Sequence, residues 1–162
     1  MVRIRGALAV ALSGLIAGNA AAAPAHVPVQ WHIKSAPSKP VKPSGRFDAV
    51  LVGQIEPGWH LYALEEPEGG PIATEVNLTE GDPAELPRVS EGKPRVVLDP
   101  VFQKPTGFFE NTAEFTLHAQ IARDATPGPH TLHVLVRFQS CSDRVCLPPH
   151  TDTIELPITV GK

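Results

Sequence analysis

The sequence predicts an all-β protein, because three features of the chain favour strands over helices. Apolar and polar residues alternate in most of the apolar segments, as expected of strands with one buried face. Beyond the N-terminus, no stretch of ten or more residues repeats its apolar residues with the helical period. The 18 prolines and 13 glycines divide the chain into short segments. Together these features indicate an immunoglobulin-like antiparallel β-sandwich of seven to nine short strands, with an open barrel as the alternative.

The first 23 residues are predicted to be a secretory signal peptide and not part of the fold. Arg3 and Arg5 give the chain a cationic start, and an apolar run follows over residues 7–17. Small residues at positions 18–23 then offer the Ala-x-Ala spacing of a cleavage site. The apolar run is too short for a membrane span, which needs about 20 residues. We therefore expect a periplasmic or otherwise exported protein whose mature domain covers residues 24–162.

Strands in the first half of the mature chain follow from alternation and from the residues that interrupt it. Residues 29–33 alternate apolar with polar side chains and predict the first strand. The Pro-rich segment 35–45 cannot donate a regular ladder and is predicted to be a surface connection. Residues 47–55 are richly apolar, which indicates a central strand covered on both faces. Short strands are predicted at 59–62 and 74–78.

The second half of the chain is predicted to contain four further strands. The segment 81–105 is rich in proline, and only residues 95–98 within it read as a strand. Residues 115–121 and 132–138 alternate cleanly, which predicts two strands with one buried face each. The same alternation returns at 154–160 and closes the series.

Composition and charge exclude several classes of function. The chain has a net charge of −3, which becomes −5 when the two arginines of the predicted signal peptide are removed. It contains no basic run or patch, so nucleic acid is not expected as a partner. The seven histidines form neither an H-x-H nor an H-E-x-x-H pattern, and the only methionine is Met1. The sequence therefore predicts no metal site and no cofactor.

The chain contains only two cysteines, Cys141 and Cys146, with four residues between them. The first closely follows the predicted strand 132–138, and the second precedes Pro148 and Pro149. The pair is therefore predicted at the tip of a β-hairpin whose return strand begins as an edge. Export implies an oxidising compartment, in which the two thiols should form a disulfide. Such a bridge is geometrically reasonable, because facing residues of a hairpin bring their Cβ atoms into range.

Two interpretations of this pair remain open from the residues alone. As a structural staple, a bridge that closes so short a loop would stabilise the fold by roughly 2 kcal/mol. As a redox couple, it would exchange electrons with partner proteins. Arg144 would favour the reactive thiolate, and Asp143 would oppose it. The spacing by itself favours the staple.

The residues that flank the cysteines, together with two upstream segments, resemble those of one known family. The segment from Gln139 to Pro149 reads QSCSDRVCLPP, and it is preceded by GWHLY at 58–62 and GGP at 69–71. This combination is similar to the N-terminal periplasmic domain of the DsbD thiol:disulfide interchange protein. The resemblance implies an immunoglobulin-like sandwich whose cysteine pair passes reducing equivalents from a membrane-embedded donor to periplasmic thioredoxin-like proteins.

The resemblance also implies roles for individual residues. Cys141 and Cys146 match the redox couple, with Cys146 as the attacking thiol, although the best-known members carry one more residue between the two. Tyr62 matches an aromatic position near the couple. Phe102 falls in a cap loop whose aromatic side chain shields the disulfide. From the residues alone, Trp59 is either a core side chain or a wall of the cysteine site.

The expected activity is therefore thiol–disulfide interchange of the protein-disulfide reductase type. The family's membrane segment and its thioredoxin-like domain are not recognisable in this sequence, so the electron donor is expected on a separate chain. The recipients implied by the resemblance are periplasmic thioredoxin-like proteins. The alternative is a non-enzymatic periplasmic binding sandwich in which the same pair is a structural disulfide.

Overall fold

A computed structural model describes residues 26–162, so the predicted signal peptide lies outside the described residues. The described part of the chain forms eleven strands and contains no helix, and thus none that could cross a membrane. The strands are β1 (Val29–Ser35), β2 (Arg46–Ile55), β3 (Trp59–Tyr62), β4 (Glu75–Leu78), β5 (Ala84–Glu91), β6 (Arg95–Leu98), β7 (Pro105–Glu110), β8 (Thr112–Ile121), β9 (Gly128–Phe138), β10 (Ser140–Ser142) and β11 (His150–Val160).

These strands form three sheets, and every pairing within them is antiparallel. The first sheet has the order β1-β2-β8-β5, the second β10-β3-β7-β6, and the third β11-β9-β4. Side chains from all three sheets meet in one apolar core. Its largest fully buried members are Phe115, Phe138, Leu51, Leu61, Leu117, Ile121, Leu132 and Leu156. The immunoglobulin-like antiparallel β-sandwich predicted from the sequence is thereby confirmed.

Strict alternation explains the two long strands that supply much of this core. In β8, Phe115 and Leu117 are buried, while the residues between and beside them lie toward the surface. In β9, Leu132, Val134 and Val136 are completely buried in the same alternating pattern. Burying each such side chain contributes about 1.5–3 kcal/mol relative to leaving it in water. The period of two therefore fixes the register, because a slip of one residue would expose the whole apolar set.

The two strands of the hairpin predicted around the cysteines are confirmed as β9 and β11. β9 and β11 pair continuously, from Phe138 opposite His150 to Gly128 opposite Val160, and β11 is an edge strand of its sheet. The connection between them, residues 139–149, does not turn tightly. It leaves the third sheet and adds β10 to the second sheet, beside β3.

Three strands are absent from the sequence-based prediction, each for a local reason. β5 contains Pro87 and an irregular register between Glu85 and Arg88, so it does not alternate regularly. β7 begins at Pro105, a residue typical of turns, and its next four residues are all buried. β10 has only three residues, too few for any period to be visible.

One carboxyl group links the residue that follows β3 to the middle of β7. Glu66 accepts hydrogen bonds at Oε1 from the backbone N–H groups of Ala63, at 3.3 Å, and Gly107, at 3.1 Å. Its Oε2 atom is buried and finds no partner among the described residues. Burial raises the pKa of Glu66 to about 7, with smaller contributions from Glu91 and Asp99 and with the two N–H groups opposing the shift.

The raised pKa of Glu66 predicts a pH-dependent stability. The folded chain holds this proton more tightly than the unfolded chain, so stability is lost as the pH rises from 4.5 toward 7. Glu66→Gln keeps an acceptor for both N–H groups and removes the charge. We expect the free energy of unfolding of this variant, relative to that of the wild type, to increase by roughly 1 kcal/mol as the pH rises from about 5 to about 8. This value is reduced because Glu66 is only partly buried and solvent screens its charge. Urea titrations at the two pH values measure the gain. Glu68→Gln, in the exposed part of the same loop, is the control, and an equal gain there would contradict the prediction.

Candidate functional site

The cysteine pair is held where the second sheet ends. Cys141 lies in β10 directly opposite His60 of β3, and its sulfur is bonded to that of Cys146. The two cysteines also face each other as an antiparallel bridge. The Ser142 N–H donates to the carbonyl of Val145 at 2.8 Å, so the four residues between the cysteines form a compact turn. The predicted disulfide is therefore present, and short-range backbone hydrogen bonds fix its position.

The two sulfur-bearing residues differ in exposure. Cys141 is 1% exposed, whereas Cys146 is half-buried. Cys141 packs with Tyr62 and Phe108 in a small apolar cluster that is separate from the main core, and Cys146 lies against it. An open pocket of about 220 Å³ is lined by both cysteines and by this cluster. A reagent that enters the pocket would therefore reach Cys146 before Cys141.

A chain of hydrogen bonds runs beneath the disulfide. The Tyr62 hydroxyl donates to Asp99 Oδ2 at 3.2 Å, and it lies 3.2 Å from Nε2 of His60. The other carboxylate oxygen of Asp99 accepts the backbone N–H groups of Val101, at 2.7 Å, and Phe102, at 3.1 Å. Burial raises the pKa of Tyr62 far above its usual range, and the neighbouring Asp99 raises it further. Tyr62 therefore stays protonated and acts as a fixed hydrogen-bond donor.

The loop that connects β6 to β7 covers one side of the pocket, and Asp99 organises it. The Asp99 N–H donates to the carbonyl of Lys104 at 2.8 Å, and the Gln103 N–H donates to the carbonyl of Asp99 at 2.8 Å. The Phe102 ring meets the Tyr62 ring edge-on, with 6.4 Å between their centroids. Phe102 thereby packs against the cluster that contains the disulfide. We call residues 99–104 the cap loop.

Trp59 lies elsewhere, although the sequence allowed it as a wall of the site. Side chains alternate along β3, so His60 and Tyr62 face the pocket while Trp59 and Leu61 face the main core. The Trp59 ring lies beside the His26 ring in a tilted arrangement, with centroids 5.6 Å apart. The wall role for Trp59 is therefore corrected to a place at the edge of the core, because a one-residue offset moves a side chain to the other face of the sheet.

Three residues of the site were not identified from the sequence: His60, Asp99 and Phe108. His60 could have been found, because it lies two positions before Tyr62 and so shares its face of a predicted strand. Asp99 directly follows the predicted strand 95–98, but nothing local shows that its carboxylate turns back into the site. Phe108 lies in a strand that begins with a proline, and its pairing with β3 is a tertiary feature.

Charged side chains line the rim of the pocket and carry both signs. Arg95 of β6 pairs with Glu110 of β7 at 3.2 Å, and its guanidinium lies 5.7 Å from the centre of the Phe108 ring. Asp143, in the turn between the cysteines, completes the rim. Within residues 26–162, no three histidine, cysteine or acidic side chains are grouped closely enough to bind a metal ion. The reactive groups at the centre of the pocket are the bonded sulfur atoms of Cys141 and Cys146.

Comparison with known proteins gives one match to a family model and a set of structural likenesses. The model described as the N-terminal domain of the thiol:disulfide interchange protein DsbD matches residues 32–158. The N-terminal periplasmic domain of ScsB from Proteus mirabilis superposes with a TM-score of 0.51 at 18% identity. That alignment covers 79% of this chain and 44% of the other, and at this identity it concerns the fold alone.

A second solved structure is much less similar. A family 123 glycoside hydrolase from Clostridium perfringens gives a TM-score of 0.36 at 10% identity, over 74% of this chain and 22% of the hydrolase. A likeness at that level supports no statement about this protein. No curated protein sequence matches the chain significantly.

Proposed function

The chain belongs to the family of the N-terminal domain of the thiol:disulfide interchange protein DsbD, and on this basis we propose that it is a thiol–disulfide exchange module. Its working couple is Cys141 and Cys146. The observation that supports this function best is the position of the disulfide, which lines an open pocket with one half-buried cysteine instead of lying within the main core. Tyr62 packs with Cys141, and the cap-loop residue Phe102 packs against the same cluster.

The exchange proceeds in two steps from the reduced form of the domain. The Cys146 thiolate attacks one sulfur of a partner disulfide, and the other partner sulfur leaves as a thiolate. Cys141 then attacks the Cys146 sulfur of this mixed disulfide, which restores the Cys141–Cys146 bond and releases the second partner thiolate. Two electrons pass to the partner. The difference in burial supports Cys146 as the first nucleophile, because Cys141 is 1% exposed.

The partners proposed for this module are periplasmic thioredoxin-like proteins. A membrane-embedded donor on a separate chain would reduce the pair again, and the predicted signal peptide would deliver residues 24–162 to the same compartment. Two exposed apolar side chains support a docking function at the pocket. Val101 in the cap loop is 72% exposed, and Val145 in the cysteine turn is 52% exposed.

The reduction potential of the Cys141–Cys146 pair tests this function directly. For an exchange module we expect a potential above about −300 mV, and for an inert structural bridge a potential below that value. Equilibration with graded mixtures of oxidised and reduced dithiothreitol, followed by alkylation and mass measurement, gives the fraction reduced. The Cys141→Ser/Cys146→Ser double variant is the control and should show no change in mass. A potential below about −300 mV would favour the alternative, a binding sandwich with a structural disulfide.

A further inference from the structure

The second step of the exchange needs a proton acceptor, because the attacking thiol is buried. Cys141 is 1% exposed and packs among the side chains of Tyr62 and Phe108. Such apolar surroundings keep a thiol protonated, whereas only the thiolate is nucleophilic. Bulk water has little access to this sulfur. A base that lines the pocket is therefore better placed than bulk water to take this proton.

His60 is the group placed to receive it. His60 lies directly opposite Cys141 in the β10–β3 ladder, and both side chains line the same pocket. Side chains of directly opposed residues lie on one face, with Cβ atoms about 4.5–5.5 Å apart. The His60 ring is half-buried and packs on the Phe108 ring, with centroids 4.8 Å apart. This packing orients the imidazole within the pocket.

The hydrogen bonds of the ring identify its free nitrogen. The single proton of the Tyr62 hydroxyl is donated to Asp99, so the Tyr62 oxygen can only accept from His60. Nε2 of His60 therefore carries the proton of the neutral ring, and Nδ1 holds the lone pair. His60 is therefore the base, the Tyr62 hydroxyl orients it, and the Asp99 carboxylate stabilises the imidazole once it is charged.

We propose, on the basis of the exchange function above, that His60 accepts the Cys141 thiol proton at Nδ1 as Cys141 attacks the mixed disulfide at Cys146. The electron pair of the Cys141 sulfur forms the new bond to the Cys146 sulfur. The bond from Cys146 to the partner sulfur breaks, and the partner leaves as a thiolate. The imidazolium then returns its proton to solvent or to the departing thiolate. Electrons and protons balance without any other reactant.

The charged groups around His60 are compatible with this role. Burial lowers the pKa of His60, and Asp99 of the cap loop, Glu110 of β7 and Asp143 of the cysteine turn oppose that shift. Arg95 of β6 also lines the pocket, and it is paired with Glu110. Neutral His60 therefore predominates at neutral pH, and the three carboxylates stabilise the imidazolium when it forms.

The two thiol steps can be separated with Ellman's reagent, a small aromatic disulfide that releases a coloured thiolate. Reduced protein should release one equivalent as Cys146 reacts and a second as Cys141 closes the disulfide. In His60→Gln we expect the second phase to slow by about tenfold or more near pH 7, with the first phase little changed. At about pH 10 the two proteins should converge, because hydroxide can then take the thiol proton in place of the histidine. His150→Gln, a histidine outside this pocket, is the matched control.

The pH profile separates proton transfer from a merely structural role. An unchanged second phase near pH 7, or a slowing that persists undiminished at about pH 10, would overturn the proposal. The wild type provides a measurement that needs no variant. Its second phase should slow below an inflection that lies under the ordinary histidine value of 6.5, and a profile without that inflection would also overturn the proposal. If both phases behave as expected and no thioredoxin-like protein exchanges with the pair, the proposed function fails while the assignment of His60 stands.

Discussion

A Cys141→Ser variant should accumulate a mixed disulfide with an oxidised thioredoxin-like protein, whereas Cys146→Ser should capture almost none. The first variant keeps the half-buried Cys146 as a nucleophile and lacks the thiol that would release the partner. The second keeps only Cys141, which is 1% exposed and packed against aromatic side chains. We expect at least a tenfold difference in trapped complex, to order of magnitude. Non-reducing electrophoresis followed by mass spectrometry of the trapped band measures it.

Turnover should be affected even more strongly than trapping. Loss of Cys146 should lower the rate of partner reduction by about 10³-fold or more, because no other thiol can form the intermediate. The Cys141→Ser/Cys146→Ser double variant gives the background for both measurements. Equal trapping by the two single variants would show that Cys141 also reaches the partner, so the assignment of Cys146 as the attacking thiol would be wrong. Trapping by neither variant would contradict the exchange function itself.

Phe102→Ala should make the disulfide easier to reach. The Phe102 ring packs against the cluster that contains Cys141 and meets Tyr62 edge-on. Its removal opens the pocket on the side of the cap loop, while Asp99 still holds the loop backbone through its N–H contacts. We expect dithiothreitol to reduce the bridge about tenfold faster, since access of the attacking thiol is one of the factors that set the exchange rate.

The control for this prediction is Val96→Ala, which removes an apolar side chain of β6 that is 64% exposed and does not line the pocket. This variant should be reduced at the wild-type rate. An unchanged rate in Phe102→Ala would contradict the shielding role of the cap loop. A rate increased equally in both variants would indicate general loosening of the second sheet instead of local access. Circular dichroism of both variants establishes whether that sheet is intact.

The strands that alternate strictly are those that the sequence predicted well. Residues 115–121 and 132–138 lie within β8 and β9, because a strand with one buried face has a period that is visible in its own residues. The strand β7 is different. All four residues from Thr106 to Phe109 are buried, since one face meets the main core and the other meets the cysteine cluster. No alternation remains in such a segment to reveal it.

The candidate site shows the same division between local and non-local information. The cysteine segment and the separate upstream segment that contains Tyr62 were recognisable as those of one family, and the family is confirmed. The cap position of Phe102 and the choice of attacking thiol stay predictions for the experiments above. Trp59, which the sequence left open between a core side chain and a wall of the site, packs on the main core. The reason is the register of β10 on the edge of β3, which places Cys141 opposite His60 and so puts the pocket on the other face of β3.

The sequence by itself determined the all-β class, the family and the cysteine pair, because each of these can be recognised from neighbouring residues or from the period of the apolar residues. Only the tertiary structure decided which cysteine is buried, since that depends on β10 pairing with β3 across a separation of about 80 residues. It also brought His60, Tyr62 and Asp99 into one chain of hydrogen bonds. The physical reason is that a sheet pairs segments that are distant in sequence. The surroundings of a cysteine sulfur therefore depend on strands that cannot be inferred from the residues next to that cysteine in the chain.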